Sequence, residues 1–263
     1  MKLYLGMGLD WMGDLYLELF LFSVAVIAGF IDTLAGGGGL ITMPALLIGG
    51  VPPLATLGTN KLQGSMGTAT ATYMMLLKRK VVWADIKFLM LFSFIGSSLG
   101  AIGVQFINVD ALSFIVPFVL LVILIYFIIS PKSHNNKHLE KISLKVYQKI
   151  VIPIIGFYDG MFGPGTGSFF TFAGVSLRGH GFIDATAMAK GLNFSSNIAA
   201  LTVFLFAGQV VWILGIIMML GQFIGAWFGS HCLFKVNPTY LRVLVVLMCF
   251  SMLLKYSFSM NWL

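Results

Sequence analysis

Ten apolar segments leave this chain few folds to choose from: about 15–35, 40–50, 59–77, 86–107 and 111–130, then 148–162, 168–177, 183–206, 210–233 and 239–257. Several reach the roughly 18–20 residues that a helix needs to cross about 30 Å of hydrocarbon. Only 10% of the 263 residues are charged, against about 25% in a soluble domain. Within hydrocarbon every backbone polar group needs an internal partner, which leaves helices or closed barrels. Barrel strands would alternate in polarity over about ten residues, and these runs do not. The expected fold class is an all-α polytopic membrane protein.

The sequence also repeats itself. GFIDTLAGGGGL at Gly29–Leu40 returns as GFYDGMFGPGTG at Gly156–Gly167. Asp159 follows Asp32 by 127 residues; Lys190 follows Lys61, and Trp212 follows Trp83, by 129. The chain divides into an N-terminal repeat at 1–130, a basic linker at 131–147 and a C-terminal repeat at 148–263. Two pseudo-symmetric halves with a site between them are a recurring plan of secondary carriers. Segments 40–50, 148–162 and 168–177 are short for a full span and read as broken or re-entrant helices, so 8–10 transmembrane segments are expected.

Basic residues orient the segments. If every segment crosses and the N-terminus lies outside, 12 of the 16 Lys and Arg residues fall on the cytoplasmic side: Lys78, Arg79, Lys80, Lys87, five linker lysines up to Lys149, Arg178, Lys235 and Arg242. The positive-inside rule favours this arrangement, and it inverts one half relative to the other. Re-entry of 40–50 and 168–177 would instead be expected to make the halves parallel. The net charge of +7 is spread over loops and fits a lipid headgroup surface rather than nucleic acid. The N-terminus lacks a basic region followed by a short apolar stretch, so no cleaved signal peptide is expected.

Asp32 and Asp159 each sit in an apolar segment just before a glycine run. A charge at the bilayer centre costs roughly 2.5–3.5 kcal/mol, so a matched pair needs a reason. One reason is coupling to a proton or Na⁺. The other is capping of backbone amides at the break. The runs Gly36, Gly37, Gly38, Gly39 and Gly163-Pro164-Gly165-Thr166-Gly167 should unwind their helices, since Gly costs about 1 and Pro about 3 kcal/mol per helical position. Unwound backbone at membrane depth lines a cavity or packs in protein, and the helix start after it suits an oxyanion. Lys61 and Lys190 are read as starting long helices. They either snorkel or bring positive charge to a central cavity, countering an anion or pairing with an Asp. Polar residues follow each: Asn60, Gln63, Ser65, Thr68 and Thr72 near the first, Asn193, Ser195, Ser196 and Asn197 near the second. Asn193 and Asn197, four apart, share a helix face.

The Gly96/Gly100 and Gly221/Gly225/Gly229 patterns read as close helix packing, and Trp83 and Trp212 as interfacial anchors. Cys232 and Cys249 read as buried hydrophobes, His231 as structural, and Arg178 and His180 as solvated loop residues. No metal-ligand spacing, cofactor motif or GxxxxGK[ST] is present, so transport energy must come from a gradient or a partner.

GFIDTLAGGGGLITMPAL, GTNKLQGS with KRKVVW, GFYDGMFGPGTGSFF and AKGLNFSSNIAAL resemble the TauE/SafE family of bacterial and archaeal membrane proteins, the sulfite exporter and sulfonate permease group. The resemblance runs from about Ala28 to Lys255 and implies movement of small sulfur-containing anions across the bacterial inner membrane. Within it, Gly36–Gly39, Asn60, Lys61, Gly163, Gly165, Thr166, Gly167, Lys190, Asn193, Ser196 and Asn197 are candidate contacts for a small anionic solute. Asp32 and Asp159 are candidates for coupling to H⁺ or Na⁺. The other expected partner is membrane lipid, with a homo-oligomer left open. A passive anion channel and an intramembrane aspartyl hydrolase are the rival readings.

Overall fold

The computed structural model describes residues 11–107 and 139–233, together with 121, 125, 235, 240, 243, 246, 247 and 250. The predicted segments 111–130 and 239–257 and linker residues 131–138 therefore lie, but for isolated positions, outside the described residues.

Every regular element among the described residues is helical. The first four helices are α1 (Trp11–Ala35), α2 (Gly39–Ile48), α3 (Pro53–Leu77) and α4 (Trp83–Val104). After position 139, one turn (Leu144–Val146) runs through a π-helical stretch (Tyr147–Val151) into α5 (Ile152–Met161). Then follow α6 (Thr166–Arg178), α7 (Phe182–Phe206) and α8 (Trp212–Cys232). Among the described residues, α1 from Leu15, α4 and α8 are long and apolar enough to cross a membrane. Their outward faces show bare Leu19, Phe88, Leu91, Ile102, Ile216, Leu220 and Phe228, as lipid contact requires.

Two pairs of helices pack closely because glycines remove the side chains between them. Gly221, Gly225 and Gly229 of α8 lie on the backbone of Phe22, Val26 and Phe30 of α1. Gly96 and Gly100 of α4 lie on Pro153 and Phe157 of α5. In both pairs the residue numbers rise together, so the helices run parallel. The contacts of α3 with α7 run the other way: Gly58 meets Phe204, Gly64 meets Asn197, and Thr72 meets Gly191. These two helices are antiparallel.

The short helices turn back. At the end of α2, Gly49 lies against Leu17, early in α1. Leu21 and Ala25 share a cluster with Ala45, Leu46, Val51 and Leu214. At the end of α6, the Leu177 carbonyl accepts from the amides of Lys141 and Ile142, ahead of α5. At about 1.5 Å per residue, neither the 10 residues of α2 nor the 13 of α6 span the hydrocarbon. Segments 40–50 and 168–177 are thus too short to cross and fold back beside α1 and α5, while α3 and α7 are antiparallel. The parallel arrangement expected from re-entry does not follow, because α1 with α2, and α5 with α6, each form one hairpin that returns to its own end.

Three further expectations change. The helix carrying Lys61 begins at Pro53, not 59, so Lys61 is its ninth residue, as Lys190 is of α7. Neither is terminal, and neither snorkels: both are buried. Arg178 is not a solvated loop residue. It is buried at the end of α6 and donates to both carboxylate oxygens of Glu140, at 2.7 and 2.9 Å, and to the Ile142 carbonyl.

Candidate functional site

The tips of the two hairpins meet in the interior. Gly36 (φ 80°) turns the first and Gly163 (φ 93°) and Gly165 (φ 78°) the second. A Cβ at Gly36 would collide with the backbone of Gly167 and Ser168, so glycine is required there for both conformation and space. The Ser168 hydroxyl donates to the Ala35 carbonyl, and Gly39 faces Pro164. Gly37 supplies a carbonyl to the Leu40 amide at the first turn of α2.

Each break carries its aspartate, and each aspartate meets the lysine of the other half. Lys61 Nζ lies 2.7 Å from Asp159 Oδ1, with both side chains about 1% exposed. The same oxygen accepts from the Thr166 hydroxyl at 2.7 Å. Among the described residues Asp159 Oδ2 has no hydrogen-bond partner. Lys190 donates to the Asp32 carbonyl and sits 4.0 Å from Asp32 Oδ2, whose side chain is 13% exposed. Asp32 Oδ1 accepts from the Gly38 amide at 2.9 Å. Asp32 thus caps a backbone amide at its break, Asp159 is fastened by a side-chain hydroxyl instead, and each carboxylate faces a buried lysine.

The pairs stand at different depths. Lys61 lies nine residues from the end of the bundle where α3 begins. Lys190 lies nine residues from the opposite end, where α7 begins. Between them is a narrow polar chamber at mid-length of α3, α7 and α8. It is lined by Asp32, Gly36, Gly38, Gly39, Asn60, Gln63, Gly64, Thr68, Asp159, Gly163, Gly165, Asn193, Asn197 and Gln222. The space open to the centre of a water molecule is about 20 Å³, room for roughly one water.

The lining is amide-rich. Thr42 donates to Asn60 Oδ1 at 2.6 Å, and Gln63 Nε2 donates to Asn60 Oδ1 at 2.7 Å and to the Thr42 hydroxyl at 3.0 Å. Asn197 Nδ2 donates to Asn193 Oδ1 at 3.3 Å. Of the residues predicted from sequence, Lys61 and Lys190 back the wall through their aspartates, and Thr166 and Gly167 brace the tips. Ser196 is not in the lining: its hydroxyl donates to the Asn193 carbonyl at 3.1 Å, and its own carbonyl accepts from Ser97 Oγ at 2.6 Å. Gln63, Gly64 and Thr68 line the chamber without having been site candidates. Gln222 was missed outright; its one signal was a lone carboxamide in an otherwise apolar helix.

Two helical hairpins touching tip to tip beside crossed Lys–Asp pairs define a helical, multi-pass membrane protein with a narrow polar site. The family model for sulfite exporter TauE/SafE matches residues 21–256, and the chain belongs to this family. It is 43% identical over 242 residues to the "Probable membrane transporter protein" of Haemophilus influenzae, covering 92% of this chain and 95% of that one. It is 44% identical over 240 residues to "Probable membrane transporter protein ORF9" of Sinorhizobium sp, covering 91% and 92%. Against "Probable membrane transporter protein YfcA" of Escherichia coli K12 it is 40% identical over 227 residues, covering 86% and 84%. No solved structure matches. The chain is a membrane transporter of the TauE/SafE type, not an enzyme, and fits a multi-pass protein of the bacterial inner membrane.

Proposed function

We propose that this protein is a secondary active transporter that moves small anions such as sulfite, sulfonates or related organosulfur anions, driven by a proton or Na⁺ gradient. The observation that carries this reading is the placement of two crossed Lys–Asp pairs on opposite sides of one narrow polar chamber. Each pair ties a long helix of one half to the broken helix of the other. Breaking the Lys61–Asp159 pair frees the chamber toward the end where α3 begins. Breaking the Lys190–Asp32 pair frees it toward the end where α7 begins. Alternating access follows when only one pair opens at a time.

The reading treats the halves as inverted repeats. Its support is reciprocal packing: α1 with α8 answers α5 with α4, α3 with α8 answers α7 with α4, and α3 crosses α7. The end carrying Lys78, Arg79, Lys80, Lys141, Lys145 and Arg178 is cytoplasmic by the positive-inside rule. Among the described residues the opposite end carries Glu18 and no basic residue.

Charge supplies the coupling. Two lysines and two aspartates sum to zero, so the resting chamber holds no spare positive charge. An anion entering it draws one lysine off its carboxylate. The abandoned carboxylate then takes a proton or Na⁺, because an unpaired buried charge is costly. Anion and cation thus enter together. A chamber with room for about one water must widen to admit sulfite, which fits a carrier that closes around its load better than an open channel. The test is sulfite uptake by the reconstituted protein. An imposed proton or Na⁺ gradient should drive accumulation above the external concentration, and Asp32→Asn or Lys190→Ala should stop it. Flux that never runs uphill under either gradient would reject the carrier.

A further inference from the structure

Gln222 is the chamber residue that neither the sequence motifs nor the family assignment singles out. It sits at mid-length of α8 and is 2% exposed, among neighbours that are otherwise apolar or glycine. Two helices make room for it. A Cβ at Gly67 of α3 would fall on Gln222 Oε1, and a Cβ at Gly29 of α1 would come within 2.8 Å of the same atom. Its side chain thus lies in a slot cut by glycines from two helices and lines the chamber.

The other carboxamides of the lining bond within the wall, Asn60 and Gln63 with Thr42 and each other and Asn193 with Asn197, although Gln63 Oε1 has no partner. Gln222 makes no side-chain hydrogen bond among the described residues. Its amide opens on the chamber and so keeps its donor free for whatever the chamber holds, in a helix where a leucine would otherwise pack. A shaped slot holding a free amide beside the chamber is what a direct solute contact requires.

We propose that Gln222 is a substrate-contacting, selectivity-setting residue, donating its amide N–H to an oxygen of the transported oxyanion. This deepens the transporter reading and rests on it. The amide adds no charge, so it ranks solutes by the number and geometry of their oxygen acceptors, while the lysines respond to charge. Sulfite and sulfate, both dianions at pH 8, differ in that respect with three oxygens against four, and Gln222 should tell them apart.

The experiment is competition for [³⁵S]sulfite uptake in proteoliposomes at pH 8 by unlabelled sulfite and by sulfate, for wild type, Gln222→Met and Gln222→Glu. Gln222→Met keeps the shape and removes the donor. It should raise the KM for sulfite about tenfold, leave Vmax within about twofold, and change the sulfite-to-sulfate preference. Gln222→Glu should abolish uptake of both anions while the protein keeps the wild-type elution profile and unfolding temperature. Structural damage would lower Vmax for both anions alike and leave their ratio untouched. That result overturns the proposal, as does an unchanged KM in Gln222→Met, which would mean that the amide only holds a water. Wild-type vesicles that carry neither anion would overturn the anion reading itself, and this assignment with it.

Discussion

The two glycine breaks carry the same G-F-x-D lead and end up holding their charges differently. In the second, Asp159 is pressed against Lys61 at 2.7 Å. In the first, Asp32 stands 4.0 Å from Lys190 and is partly exposed. One residue accounts for much of the difference. Thr166 occupies the position that Gly39 holds in the first copy, 127 residues earlier. Its hydroxyl fastens Asp159, so that carboxylate has no need of a backbone amide and can face its lysine. Asp32 has no hydroxyl beside it. It takes the Gly38 amide instead, and Lys190 turns to the Asp32 carbonyl. Duplicated motifs therefore do not guarantee duplicated sites. A hydroxyl at one position decides whether the carboxylate acts as a tight ion-pair partner or as a backbone cap within reach of the chamber.

The largest effect should come from splitting the tight pair. Removing one partner of a fully buried ion pair costs about 3–5 kcal/mol. Lys61→Ala should lower unfolding stability by that order and abolish sulfite uptake. Lys61→Met combined with Asp159→Leu should regain much of the stability and none of the transport. Denaturation of the purified protein, with uptake in parallel, reads both. Asp32→Asn should cost less, about 1 kcal/mol, because an amide oxygen can still accept from the Gly38 amide and Lys190 keeps its carbonyl. Its mark should be functional: uptake that no longer responds to the driving ion gradient. Equal destabilisation by Asp32→Asn and Lys61→Ala would end the distinction drawn between the breaks.

The smaller predictions test the cause. Thr166→Val should cost about 1–3 kcal/mol by stripping a hydrogen bond from a buried carboxylate. The converse, Gly39→Ser, should be tolerated within about 1 kcal/mol. Gly39 is not among the positive-φ glycines, and a Cβ there meets Pro164 Cα only at 3.4 Å. If the hydroxyl is what separates the sites, Gly39→Ser should make Lys190→Ala more destabilising than it is in the wild-type background. A double-mutant cycle measures that coupling, and a coupling of zero removes Thr166 from the explanation.

Much of this was legible along the chain. Apolar length fixed which stretches could be helices, and predicted edges at 35, 77, 206 and 232–233 agree with α1, α3, α7 and α8. Glycine runs after Asp32 and Asp159 marked the breaks, because neither Gly nor Pro continues a helix without cost. What failed did so for identifiable reasons. Pro53 starts α3 earlier than hydropathy implied, since Pro is well suited to a first turn, and that moved Lys61 from a helix end to a buried position. Arg178 looked solvated because Glu140, its partner, lies 38 positions earlier, in the linker. Gln222 stayed hidden because its slot is cut by Gly29 and Gly67, distant in sequence and unremarkable on their own.

The sequence alone determined the solvent, the secondary structure and the chemical inventory: helices for hydrocarbon, two interruptions, two aspartates and two lysines at matched offsets. These follow from local forces, namely the cost of exposing backbone in lipid and the inability of glycine runs to stay helical. Which lysine meets which aspartate was decided only in three dimensions. Antiparallel crossing of α3 and α7 carries each lysine past its own break to the other half's, and the tips touch because Gly36 and Gly167 leave nothing between them. Ion pairing in a low-dielectric interior depends on ångströms of separation, and that separation is set by helix packing rather than by distance along the chain.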